Sequence, residues 1–139
     1  MNPILWIHVA LVLAADTEKT LYCPIPAVDG GGEYEAVSAY FTPDGDGAVT
    51  ADATNYTVVT LKNGATSLWS RATDVAGGAL VAGTQVALTI TAATAKTAFE
   101  FTAGTDQLTI AVTMPGTGAV FKGIVAVGFR RKQASAYAT

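Results

Sequence analysis

The stretch Thr84-Gln85-Val86-Ala87-Leu88-Thr89-Ile90-Thr91 puts Val86, Leu88 and Ile90 on one side and Gln85, Ala87, Thr89 and Thr91 on the other. A period of two marks a half-buried strand, because successive side chains leave an extended backbone on opposite faces. Leu108, Ile110 and Val112 repeat the pattern against Gln107, Thr109 and Thr113. Farther on, Phe121, Val125, Val127 and Phe129 share a face, and Gly123 leaves a gap there for a neighbouring backbone or bulky side chain. Phe99 and Phe101 flank Glu100 in the same way.

Outward from these runs, residues 4–13, 20–25, 33–42, 55–62 and 67–73 are rich in β-branched and aromatic residues. Turn clusters separate them: Asp29-Gly30-Gly31-Gly32, Pro43-Asp44-Gly45-Asp46-Gly47, Lys62-Asn63-Gly64, Gly77-Gly78, Ala103-Gly104-Thr105-Asp106 and Pro115-Gly116-Thr117-Gly118. The spacing predicts an all-β fold, an antiparallel, jelly-roll-like β-sandwich of about eight or nine strands. Its expected core includes Val86, Leu88, Ile90, Leu108, Ile110, Val112, Val125 and Val127. The Ala-rich segment 75–82 reads as a loop, since Gly77, Gly78 and Gly83 would each cost a helix about 1 kcal/mol.

At 139 residues the chain fits one domain, 1–139, able to bury a core without disulfides or metal. Ala (26) and Thr (20) dominate and only 14% of residues are charged, which argues against a helical bundle or coiled coil. The apolar N-terminal segment, about 1–15, reads as a strand or arm. It lacks the basic start of a cleaved signal, which stands as the lesser alternative, His8 interrupts it, and it is too short to cross a bilayer, so no membrane association is expected. Residues from about 130 to 139 read as an exposed C-terminal tail. With a net charge of −3 and one basic cluster, Arg130-Arg131-Lys132, nucleic acid is not an expected partner.

Few residues here support catalysis. A Ser-His-Asp or Cys-His arrangement needs an imidazole, and the lone histidine, His8, lies inside the apolar run. One His and one Cys cannot make a zinc site. Glu33 and Glu35 project from one face of a strand and would need Glu100 or Asp106 across the sheet to form an acid/base pair; they also read as the solvated start of that strand. Asp44, Asp46 and Asp52 are the calcium candidates, as oxygen ligands on a Gly-rich loop. Their spacing departs from the twelve-residue calcium loop, and a hairpin turn explains the same residues without a metal. The expectation is a non-enzyme with no catalytic residues, no cofactor and no metal. The sequon Asn55-Tyr56-Thr57 falls in an expected strand and is set aside. Trp69 and Tyr56 are the aromatics best placed for a sugar-stacking platform, with core packing the simpler role.

From about Leu21 to Phe129 the order of elements resembles the head decoration, or cement, proteins of tailed bacteriophages. The stretches that carry the resemblance are residues 22–26, 53–64, 80–90 and 103–110: Tyr22-Cys23-Pro24-Ile25-Pro26, the run from Ala53 through Asn55-Tyr56-Thr57 to Gly64, the run from Leu80 to Ile90, and Ala103-Gly104-Thr105-Asp106-Gln107-Leu108-Thr109-Ile110. It is a pattern of Ala/Gly/Thr-rich strands and turns. The resemblance implies a structural virion protein on the outer surface of a capsid, a homo-oligomer (a homotrimer) that bridges subunits of the major capsid protein. Contacts are expected from loops and termini, with Asp29, Asp44, Asp46, Arg130, Arg131 and Lys132 as partner-binding candidates. The alternative is a carbohydrate- or surface-binding β-sandwich module of a virion fibre or secreted protein.

Overall fold

The structure, a computed structural model, describes residues 4–13, 18–25, 32–91, 96–114 and 121–132. Ten strands lie in these segments: β1 (Ile4–Leu13), β2 (Lys19–Pro24), β3 (Glu33–Pro43), β4 (Val58–Asn63), β5 (Thr66–Ala72), β6 (Val86–Ala87), β7 (Thr89–Ile90), β8 (Glu100–Thr102), β9 (Gln107–Thr113) and β10 (Phe121–Arg131). A 3-10 turn, Lys96–Phe99, precedes β8. Sheet I runs β1-β10-β3, with β6 and β8 both paired to β3 near its opposite ends. Sheet II runs β2-β9-β4-β5-β7. All pairings are antiparallel, and four of them nest: β1 with β10, β2 with β9, β3 with β8 and β4 with β5. First with last and second with next to last is the order of a jelly roll, and the expected sandwich is the observed one.

The core between the sheets follows the alternation where strands pair without interruption. Leu108, Ile110 and Val112 of β9, Val125, Val127 and Phe129 of β10, and Leu11 and Leu13 of β1 are all buried. Phe41, Leu61, Leu68 and Phe101 complete its largest side chains. Gly123 accommodates a close approach: a Cβ there would run into the Thr42 carbonyl oxygen and come within 2.6 Å of the Phe41 ring. The gap read from the sequence is therefore filled by the bulky Phe41 of β3.

Three expectations need correction. Ile90 is not a core residue; it is 62% exposed. The run 84–91 does not form one strand, because Val86–Ala87 pairs with β3 in sheet I and Thr89–Ile90 pairs with β5 in sheet II. The chain crosses between the sheets at Leu88, which is buried and donates its N–H to the Ala39 carbonyl. That crossing ends the alternation, leaves Val86 only half-buried and raises the strand number from eight or nine to ten. Second, the C-terminal tail does not start at 130. Arg130 and Arg131 are the last residues of β10, opposite Glu35 and Tyr34, and the Lys132 N–H donates to the Glu33 carbonyl. Third, the strand expected from Asn55 begins at Val58. Segment 75–82 is a loop as expected, held by a bridge between Val49 and Leu80. Asp74 accepts the Gly77 N–H at 2.6 Å, and a Cβ on Gly77 would collide with the Ala72 carbonyl oxygen.

Candidate functional site

Alternation along β1 sends Ile7, Val9, Leu11 and Leu13 toward the core and Ile4, Trp6, His8, Ala10 and Val12 outward. The outward set has apolar neighbours on the same face. Register places His8 beside Ala126 of β10 and Ala126 beside Tyr40 of β3, and Trp6 beside Gly128. Gly128 matters here, since a Cβ would come within 3.1 Å of the Trp6 ring and 3.0 Å of Ile4. Without one, the indole lies across β10 and reaches Tyr40, ring centroids 6.1 Å apart. Trp6, His8, Tyr40, Thr42, Gln85 and Ile124 line a shallow groove on the outside of sheet I. Ile4, Trp6, Val12 and Ile124 are all exposed and share this outer face of sheet I. Only the inner faces of the sheets are committed to the core.

The outside of sheet II is polar. Ala111 and Thr109 of β9 form a low floor, flanked by Thr20 and Tyr22 of β2 and Lys62 of β4. The turns Asn63-Gly64 and Thr105-Asp106 rise at one end, and Tyr22 stands 67% exposed. Those turns are built firmly: Asn63 donates through Nδ2 to the carbonyls of Ala98 and Glu100 at 3.0 and 2.9 Å, and Asp106 accepts the Thr102 N–H at 2.7 Å. The exposed aromatic ring on this face is Tyr22, and not Trp69 or Tyr56. Trp69 is buried edge-on against Phe99 at 4.9 Å, and Tyr56 is half-buried. Tyr22 was hidden within a β-rich stretch, and its outward direction follows only from pairing with Thr109.

The remaining site candidates serve local structure. Asp44 accepts the Asp46 N–H at 2.9 Å, and Asp52 accepts the N–H groups of Thr54 and Asn55, both at 2.8 Å. Among the described residues, no three His, Cys, Asp or Glu side chains gather to hold a metal ion. Asp29 lies outside the described residues. Glu33 and Glu100 do approach one another, joined by Lys132, whose Nζ is 2.9 Å from Glu100 and 3.5 Å from Glu33. Hydrogen bonding to Glu100 holds that ammonium above its ordinary value. The carboxylates are thus committed to an ion pair at the sheet end. Arg130 and Arg131 are exposed there, so the basic cluster is a strand terminus. Burial pushes the Cys23 thiol up, away from the thiolate. The sequon hydroxyl belongs to Thr57, which is buried against Thr73.

The turn at Asp52 yields a pH prediction. The N–H of Asn55, with that of Thr54, favours the charged carboxylate and holds Asp52 below 3.8. A lowered folded-state value means the turn's contribution is complete above the unfolded value and is lost as pH falls through the folded one. In an NMR titration the Thr54 and Asn55 amide resonances should move together with the Asp52 carboxyl, at a midpoint below 3.8. A midpoint at or above that value would contradict the turn.

No protein-family model, curated protein or solved structure matches this chain.

Proposed function

We propose that this protein is a non-enzymatic structural component that decorates the outer surface of a bacteriophage capsid and stabilises it. It acts as a homo-oligomer that bridges neighbouring subunits of the major capsid protein. The supporting observation is the exposed apolar strip of Ile4, Trp6, Val12 and Ile124 outside sheet I, carried on paired strands. Rigid strands ordered before contact lose little entropy on docking, and an apolar face of this kind marks a surface that associates. Linked copies gripping neighbouring shell subunits gain avidity of roughly 10²–10⁴ over one contact. The turn at Asp44 and Asp46 and the strand end at Arg130, Arg131 and Lys132 supply polar contacts around it.

The test is the heat and chelator tolerance of purified capsids with and without the protein. Binding only the assembled shell stabilises it by mass action, about 2.7 kcal/mol per site at 100 times the dissociation constant. Decorated shells should survive higher temperature, and Trp6→Ala should remove most of the gain while leaving the sandwich folded. Equal tolerance would sink the reading.

A second reading is favoured by the polar dish of sheet II. An exposed aromatic ring beside hydroxyl and amide side chains suits a neutral carbohydrate. Its signature is affinity for an oligosaccharide that Tyr22→Ala abolishes.

A further inference from the structure

The edge of β1 that faces away from β10 has no neighbouring strand among the described residues. Edge strands present unpaired N–H and C=O groups, and folded proteins blunt them by shortness, charge, proline or a bulge. The other edges conform: β6 and β7 have two residues each, β8 three, and β2 has six and carries Lys19 and Pro24. β1 has none of these devices. Its ten residues contain no Asp, Glu, Lys, Arg or Pro, and its register against β10 runs without a shift.

We infer that this edge pairs with the same edge of a second copy, antiparallel across a two-fold axis, and joins two sheets into one. The inference deepens the homo-oligomer of the proposed function and rests on that reading only for its purpose. Three observations select a second copy as the occupant. The first is length, because β1 is the only long edge strand without such a device among the described residues, and another β1 matches it residue for residue. The second is face matching. Side chains alternate, so a continued sheet needs outward residues opposite outward residues, and a two-fold then permits two registers of longest overlap. Either Ile4 faces Val12 of the second copy with His8 opposite its own counterpart, or Leu5 faces Leu13 with Val9 opposite its own counterpart. The third is chemistry. Trp6 meets Ala10 in the first register and Val12 in the second, and in both the exposed apolar side chains of one copy cover those of the other.

An isologous contact of this kind closes at two copies, so no free β1 edge is left to propagate. It also sets the two apolar strips side by side on one continuous outer face, doubling the surface that a shell would meet.

Sedimentation of the full chain at micromolar concentration should give twice the 14.2 kDa chain mass. His8 is exposed, so His8→Lys should fold normally, as checked by circular dichroism. It places like charges at or beside the two-fold and should weaken the dimer by about ten-fold or more. Single cysteines in a Cys23→Ser background then report the register. Oxidation should cross-link His8→Cys or Val9→Cys, each opposite itself, and leave Val12→Cys uncross-linked. A cross-link at Val12→Cys would indicate parallel pairing and overturn the inference. So would a monomer or a trimer in sedimentation, and a monomer that dimerised only after removal of residues 133–139 would make the chain's own end the occupant. A monomer that still protected capsids would overturn the pairing alone. A dimer that left capsids unprotected would overturn the capsid reading alone.

Discussion

Ile110→Asp is expected to leave the chain unfolded at neutral pH. Ile110 is fully buried at the centre of β9, opposite Leu21 of β2 on one side and Leu61 of β4 on the other. Removing the side chain forfeits roughly 1.5–3 kcal/mol of apolar burial. The carboxylate costs more, since an isolated charge in such a site must be protonated or left unsolvated. The residues paired with Ile110 on both sides, Leu21 and Leu61, are apolar and offer the charge no partner. Against a domain stability of about 5–15 kcal/mol, these losses are decisive. Far-UV circular dichroism and amide dispersion in NMR are the readouts. Ile110→Val, which removes one methyl group, should cost only about 0.5–1.5 kcal/mol and keep the fold. A well-dispersed spectrum for the Asp variant would mean that β9 is not central to the core.

Phe129→Ala carries the next largest expected effect, about 3–5 kcal/mol in urea denaturation. Phe129 is fully buried, and its ring meets that of Phe101 edge-on, centroids 5.4 Å apart and planes at 86°. The pair packs β10 against β8, two strands that each pair with β3 and do not pair with each other. Phe129 also follows a register shift in the β10–β3 pairing, where the backbone is already held out of regular alignment. The cavity therefore has little freedom to collapse, which places the cost toward the upper part of the range. Phe101→Ala should be similar. The double variant should fall short of the sum by about 0.5–1.5 kcal/mol, the share belonging to the ring pair. A cost below about 1 kcal/mol for Phe129→Ala would show that the site repacks.

The same strand shows how far reading from the sequence reached. In β9 and β10 the inward residues Leu108, Ile110, Val112, Val125, Val127 and Phe129 were legible because alternation is a property of the extended backbone. Uninterrupted pairing carries it straight into the core. In β3 the alternation changes phase between Ala36 and Ala39, because Val37 is passed over in the pairing with β10. A similar shift in β4–β5 buries both Leu68 and Trp69. A bulge exists only relative to a partner strand, and the partner is distant in the chain.

The candidate site was less legible for the same reason. The apolarity of β1 could be read directly. That Trp6 lies over Gly128 to reach Tyr40, that Tyr22 looks out over Thr109, and that Lys132 sits between Glu33 and Glu100 depends on contacts across the sheets. Fold class, the outward or inward sense of unbroken strands and the placing of turns were already present in the order of residues, since they follow from local backbone geometry and turn chemistry. The tertiary structure decided that Ile90 faces solvent, that Arg130 and Arg131 extend a strand, and that one edge of β1 has no partner strand among the described residues. Each of those depends on which strand becomes a neighbour, and that choice is made by burying the whole core at once.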